Sequence, residues 1–375
     1  MRVSPLFAAV IAVPSTAVTN LFLSIVSSAQ QSGLFGLSPG ALVGELPVPI
    51  ARDILTILVD GGVNLVGNCT NSSNTPLVQF WLFRNPNPGN YIVINSINDI
   101  DILKSTIILI HGWGGNGDIG YIHVIKEAYL VRYPDCNIIS VDYSVYANGT
   151  YQNAYCYAPS VAAVVAQFIC NLTSAGINPA DLHVVGHSLG AQVAGMAGDN
   201  TQKQCNALIG RVTGLDPAGP GYQTINNTGR ITKDSGNFVD IIHTNQAQCG
   251  YIGDCGDVDF YPNCGYYQPH CLESVIGTVT ISTNISHVPL SLVSCSHQRS
   301  CYLFAVSINY NNFFSRSCLD CITAECLYEP SVAPIFTSSS TYMGESCRSK
   351  PLDSEYLLYT SGTYPYYLGP PGPLN

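Results

Sequence analysis

The chain is 375 residues long, 46% hydrophobic and only 10% charged, enough for a large core and too apolar for long disordered stretches. Fourteen Lys and Arg against 24 Asp and Glu leave a formal net charge of −10. No basic tract interrupts that acidity, which argues against nucleic acid or a polyanionic surface as partner.

The N-terminus reads as an export signal. Arg2 precedes an apolar stretch, Leu6 to Val13, and then Ser15-Thr16-Ala17, a small-residue cleavage pattern. A second apolar run, Leu21 to Val26, ends at Ser27-Ser28-Ala29, so residues 1–29 are the expected signal, with cleavage as early as 17. Pro14, Thr19 and Asn20 interrupt the span, which disfavours an uncleaved anchor. No later segment reads as long and apolar enough to cross a membrane. Fifteen cysteines, all at or beyond Cys69, fit an oxidising, extracellular compartment. Their odd number implies one free thiol or an inter-chain bridge. Cys318-x-x-Cys321 stands alone, so no metal site is expected, and no cofactor motif appears. Asn68, Asn71, Asn148, Asn171, Asn226 and Asn284 head glycosylation sequons.

Residues 30–375 read as a single domain, since no repeat or linker divides them. Asn68–Pro76 and Asn85–Asn90 are loops. Thr106–Ile110 is a continuous β-branched run, as a strand buried on both faces requires, and Asn137–Val141 is a second. Ala158–Leu172 carries apolar residues at helical spacing; Leu182–Val185 is a strand, Leu189–Ala197 a closely packed helix, and Val212–Leu215 and Phe238–Ile242 two more strands. Strands alternating with helices predict an α/β fold with a mostly parallel central sheet flanked by helices. Chemistry in such a fold gathers at the carboxyl ends of the strands.

Gly186-His187-Ser188-Leu189-Gly190 fits G-x-S-x-G and lies between a strand and a helix, the setting of a nucleophile elbow. The glycines leave room where the backbone turns sharply around Ser188. A serine hydroxyl needs a histidine base held by a carboxylate, in the chain order Ser…Asp/Glu…His for this fold type. Asp216 ends the strand Val212–Leu215 and enters Pro217-Ala218-Gly219-Pro220; Asp240 lies inside an apolar strand and reads as a structural partner. His270 and His297 both remain candidates for the base, His297 in a loop that Cys295 could anchor. His111-Gly112-Trp113-Gly114-Gly115 follows a strand and suits the second half of an oxyanion hole, whose donors would be the N–H groups of Trp113 and Leu189.

HGWGG (111–115), VVGHSLGAQVAG (184–195), GLDPAGP (214–220), FVDIIHTN (238–245), VDFYPNCGYYQPHC (258–271) and CSHQRS (295–300) together resemble the pancreatic-lipase-like family of secreted α/β-hydrolases. The resemblance spans about residues 75 to 365. It implies a triad of Ser188, Asp216 and His297, an oxyanion hole at Trp113 and Leu189, and a lid closed by Cys271 and Cys295. It also implies a secreted lipase acting on a lipid substrate at a lipid–water interface, through an acyl-enzyme on Ser188. Larger members carry a C-terminal β-sandwich that contacts colipase or lipoproteins; neither that domain nor such a partner is expected here. Thr232 and Ser235 stand where some members have acidic calcium ligands, so no calcium is expected. Cys249, Cys255 and Cys264 suggest an additional bridge before the lid. The 23 residues between Cys271 and Cys295, with Glu273 their only charge, resemble the long lids of triacylglycerol lipases. Phospholipase A1 activity and non-catalytic lipid binding or storage are the alternatives.

Overall fold

The computed structural model describes residues 69, 75–84, 89–149, 151–223, 229–246, 249–266, 268–271, 295–318, 336–347 and 350–368. Their framework is an 11-stranded sheet in the order β10-β9-β11-β8-β7-β6-β5-β3-β4-β1-β2. The strands are β1 (Gln79–Phe83), β2 (Tyr91–Val93), β3 (Thr106–Ile110), β4 (Asn137–Asp142), β5 (Leu182–His187), β6 (Arg211–Leu215), β7 (Phe238–Ile242), β8 (Val258–Pro262), β9 (Phe314–Cys318), β10 (Phe336–Tyr342) and β11 (Glu355–Leu358). From β11 through β4 every neighbouring pair is parallel. The outer pairs at both edges are antiparallel. This is the expected mostly parallel α/β sheet, with antiparallel additions.

Among the described residues four longer helices cover it: α1 (Tyr121–Arg132), α2 (Tyr151–Ser174), α3 (Leu189–Cys205) and α4 (Cys295–Asn309). Alternate residues of β3 face opposite layers. Ile108 and Ile110 join the core under α2 and α3, whereas Ile107 and Leu109 join the core under α1 and α4. Burial of β3, β4, β6, β7 and β8 is continuous, which explains why β3 and β4 read as apolar runs. Helix α2 starts at Tyr151, seven residues before the expected Ala158, and carries Pro159 inside. It corrects a second expectation, because its 24 residues are long and apolar enough to span a membrane. Ala158, Val161, Ala162, Val165 and Ile169 are instead buried in the core, so packing accounts for its apolarity.

β3 is flanked by β5 on one side and β4 on the other, so the chain leaves β3 and β5 in opposite directions. Their carboxyl ends therefore open a crevice at a topological switch point. HGWGG follows β3 and the serine elbow follows β5.

Cysteine pairing differs from expectation. Cys69–Cys156, Cys170–Cys205 and Cys271–Cys295 are disulfides, and Cys264 and Cys318 are disulfide-bonded too. Cys249 and Cys255 are unbridged, so the extra bridge before the lid involves Cys264 alone of the three. Cys301 is a third free thiol, where parity alone had required only one. An odd count sets a minimum, and apolar interiors readily house further thiols.

Candidate active site

Ser188 caps the N-terminus of α3 at φ 57, ψ −122. A serine enters that region only when its surroundings impose it, and here both flanking glycines are pressed against backbone. A Cβ on Gly186 would collide with Gly190 O, and one on Gly190 with the carbonyls of Ile110 and His111. The carbonyl of Ser188 accepts from Ala191 N, Gln192 N and Ala218 N, and its N–H donates to Leu215 O at 3.0 Å. The elbow is thus bonded directly to the end of β6.

Asp216 is the next residue after β6, beside Ser188 because His187 and Leu215 are in register. It too adopts a left-handed conformation, φ 43. Its carboxylate is fully buried and held on both oxygens. Oδ1 accepts from Thr244 N at 2.7 Å and Asn245 N at 3.0 Å, and Oδ2 accepts from His297 Nδ1 at 2.5 Å. A Cβ on Gly250 would lie 2.7 Å from Oδ1. Two backbone donors and an imidazole thus surround this carboxylate.

His297 lies in the first turn of α4, not in a loop, and the Cys271–Cys295 bridge anchors that helix at its first residue. Its carbonyl accepts from Ser300 Oγ at 2.9 Å and faces His187 Nε2 at 3.2 Å. The two imidazole rings are 4.6 Å apart. Burial, then the proximity of His297, holds His187 well below the usual histidine range, which leaves it neutral and able to donate through Nε2. No hydrogen bond joins Ser188 Oγ to His297 among the described residues. Such bonds are often long in the absence of substrate. His270 is not brought to Asp216; a Cβ on Gly362 would instead meet its ring.

The HGWGG turn abuts the elbow. A Cβ on Gly112 would lie 2.9 Å from both His187 O and Ser188 Cβ, so only glycine permits the approach. Gly114 N donates to Ala147 O at 2.9 Å, and Trp113 Nε1 to Gly149 O at 2.8 Å. Trp113 directly follows the glycine that abuts the serine, and its indole is anchored to Gly149. Leu189 N–H is at the first position of α3, where helix geometry provides no intrahelical acceptor.

Asp240 pairs with Arg211 through two bonds, 2.9 and 2.8 Å, and accepts from Thr213 Oγ1. That is a buried structural ion pair. Ser235 Oγ accepts from Thr232 N and donates to Asp199, and Thr232 Oγ1 accepts from Asp234 N. The one described cluster whose donors could hold a metal ion is His243, Cys255 and Asp259, within 4.8 Å of one another. Asp259 already accepts from His243 Nε2, Cys255 N and Gly256 N, so its oxygens serve hydrogen bonds. Of the sequons, Asn148 and Asn171 are exposed; Asn68, Asn71, Asn226 and Asn284 lie outside the described residues, as do the expected signal segment and the lid, 272–294. Sequence reasoning passed over the Thr244–Asn245 cradle and Gln268, although both lie in motifs quoted for the resemblance.

A strained serine between a strand and a helix, beside a buried Asp–His pair at the switch point of a parallel sheet, defines the α/β-hydrolase class. A family model described as Lipase matches residues 64–366, and the chain belongs to that family. It is 32% identical over 282 residues to pancreatic triacylglycerol lipase of Myocastor coypus, covering 68% of this chain and 60% of the relative. Pancreatic lipase-related protein 2 of Bos taurus is 31% identical, covering 71% and 61%, and lipoprotein lipase of Gallus gallus 36% identical, covering 55% and 43%. The chain thus spans about 60% of the length of the first two relatives. Among solved structures, a phospholipase/carboxylesterase from Dyadobacter fermentans is 15% identical with a TM-score of 0.31, covering 46% of this chain and 74% of that one.

Proposed function

We propose that this chain is a secreted lipase that hydrolyses carboxylic esters of neutral lipids through an acyl-enzyme on Ser188. The observation that carries the reading is the 2.5 Å bond between His297 Nδ1 and the buried Asp216, next to a serine forced to positive φ. Ser188 Oγ attacks the ester carbonyl carbon while His297 Nε2 takes its proton. Asp216 keeps the imidazole in the Nδ1–H tautomer and stabilises the imidazolium. The N–H groups of Trp113 and Leu189 receive the negative charge that develops on the carbonyl oxygen. His297 then protonates the departing alcohol, and water, activated by the same base, releases the fatty acid.

Family membership and the names of the triacylglycerol lipase relatives support a lipid ester as substrate. The long segment between the bridged Cys271 and Cys295 supports a neutral lipid. Disulfides that persist only in oxidising compartments support export. The test is turnover by purified protein of emulsified triacylglycerol and of phosphatidylcholine, with each released fatty acid resolved. Preferential triacylglycerol hydrolysis is expected. Dominant sn-1 cleavage of phospholipid would replace the substrate class, and no turnover of either by folded protein would favour a lipid carrier.

A further inference from the structure

Gln268 is 1% exposed and sits three residues before Cys271, at the base of the segment that the Cys271–Cys295 bridge closes. Every polar group of its side chain is engaged. Nε2 donates to Pro262 O at 2.8 Å and to Thr244 O at 3.2 Å, and the side-chain oxygen accepts from Asn263 Nδ2 at 2.9 Å. Its backbone N–H donates to Ser296 Oγ at 2.9 Å. Ser296 immediately precedes His297, and Thr244 is the residue whose N–H holds Asp216 Oδ1. One buried residue therefore bonds to the peptide that fixes the acid and to the helical turn that carries the base. The Thr244 hydroxyl closes the ring by donating to His297 O at 3.5 Å.

We propose that Gln268 is a positioning residue that sets the Asp216–His297 alignment and ties it to the stem of the Cys271–Cys295 segment. The proposal rests on the assignment of those two residues as acid and base. The amide is specified chemically. A glutamate would face two carbonyl oxygens with no hydrogen to give, and a leucine would leave those carbonyls buried without partners. An asparagine, one methylene shorter, keeps the polarity but cannot span to both.

The test compares wild type with Gln268→Asn and Gln268→Leu in two readouts. The first is steady-state hydrolysis of a soluble short-chain ester. The second is the downfield proton resonance of His297 Nδ1–H, which reports the bond to Asp216 without any turnover; Asp216→Asn identifies it by its loss. Both variants should lower kcat by about 10- to 100-fold, as an ångström-scale misplacement does, with KM within about twofold of wild type and the resonance shifted or broadened. Gln268→Asn keeps the proposal testable if the leucine variant does not fold. A folded Gln268→Asn with unchanged resonance and kcat within about twofold would overturn it. If Ser188→Ala retained activity, the catalytic assignment would fail separately, while the resonance would still decide whether Gln268 sets the Asp–His bond.

Discussion

The serine side and the histidine side of the site are held in place by different means. Ser188 and Asp216 are the first residues beyond two adjacent parallel strands, and ladder register brings them together; Ser188 N bonds to Leu215 O. Both adopt positive φ, 57 and 43, and the serine's turn is packed backbone against backbone at Gly186 and Gly190. His297 comes from 81 residues beyond Asp216 and stands on no strand. A disulfide at Cys295, the hydrogen bonds of Gln268, and its own bond to Asp216 hold it. Strain in the first region is stored in backbone that cannot relax, so substitutions there should act sharply. The second region is a network of side-chain bonds, so its losses should be graded.

Ser188 and Asp216 offer the largest expected effects. Ser188→Ala should lower kcat/KM on a soluble ester by at least about 10³-fold with thermal unfolding unchanged. Asp216→Asn should lower kcat by about 10³- to 10⁴-fold and leave KM nearly untouched, because it removes the orienting charge and the tautomer it selects. Asp240→Asn sharpens the contrast from the opposite direction. It breaks the buried pair with Arg211, costing about 3–5 kcal/mol in chemical denaturation, while the folded fraction keeps kcat within a few-fold of wild type. If Asp240→Asn were the variant that lost kcat at full stability, the acid would be misassigned. Replacing both Cys271 and Cys295 by Ser should cost about 3.5 kcal/mol by chain entropy, and should lower kcat less than Asp216→Asn does. The smallest effect concerns Cys249. Burial, then the charge of Asp216, pushes its thiol up to about 12. Iodoacetamide at pH 8 should therefore leave Cys249 unmodified in native protein and alkylate it after denaturation, as peptide mapping would show.

The serine side was largely legible in the sequence, for reasons the structure makes plain. β3 and β4 are buried on both faces and appear as largely apolar runs, and G-x-S-x-G between a strand and a helix has few other physical uses. Asp216 could be separated from Asp240 because one follows its strand and the other lies inside it. The histidine side was not legible to the same degree. α4 opens with Cys-Ser-His-Gln-Arg-Ser, a polar first turn that reads as loop until its bridge and its packing are known. Choosing His297 over His270 needed the family resemblance, since both lie close to cysteines. α1 follows a left-handed Gly120 and carries no side-chain cap, and β10, Phe-Thr-Ser-Ser-Ser-Thr-Tyr, is a polar edge strand with no apolar run to mark it. The Thr244–Asn245 cradle acts through backbone N–H groups, which no residue type announces.

The central claim is that Ser188 forms a covalent acyl-enzyme. Incubation with an alkyl fluorophosphonate in the presence of detergent, followed by intact-mass measurement and peptide mapping, tests it most directly. One adduct per chain on Ser188, abolished in both Ser188→Ala and denatured wild type and strongly slowed in Asp216→Asn, is the result expected. Adduct formation on another residue, or none in folded, detergent-treated protein, would contradict the account.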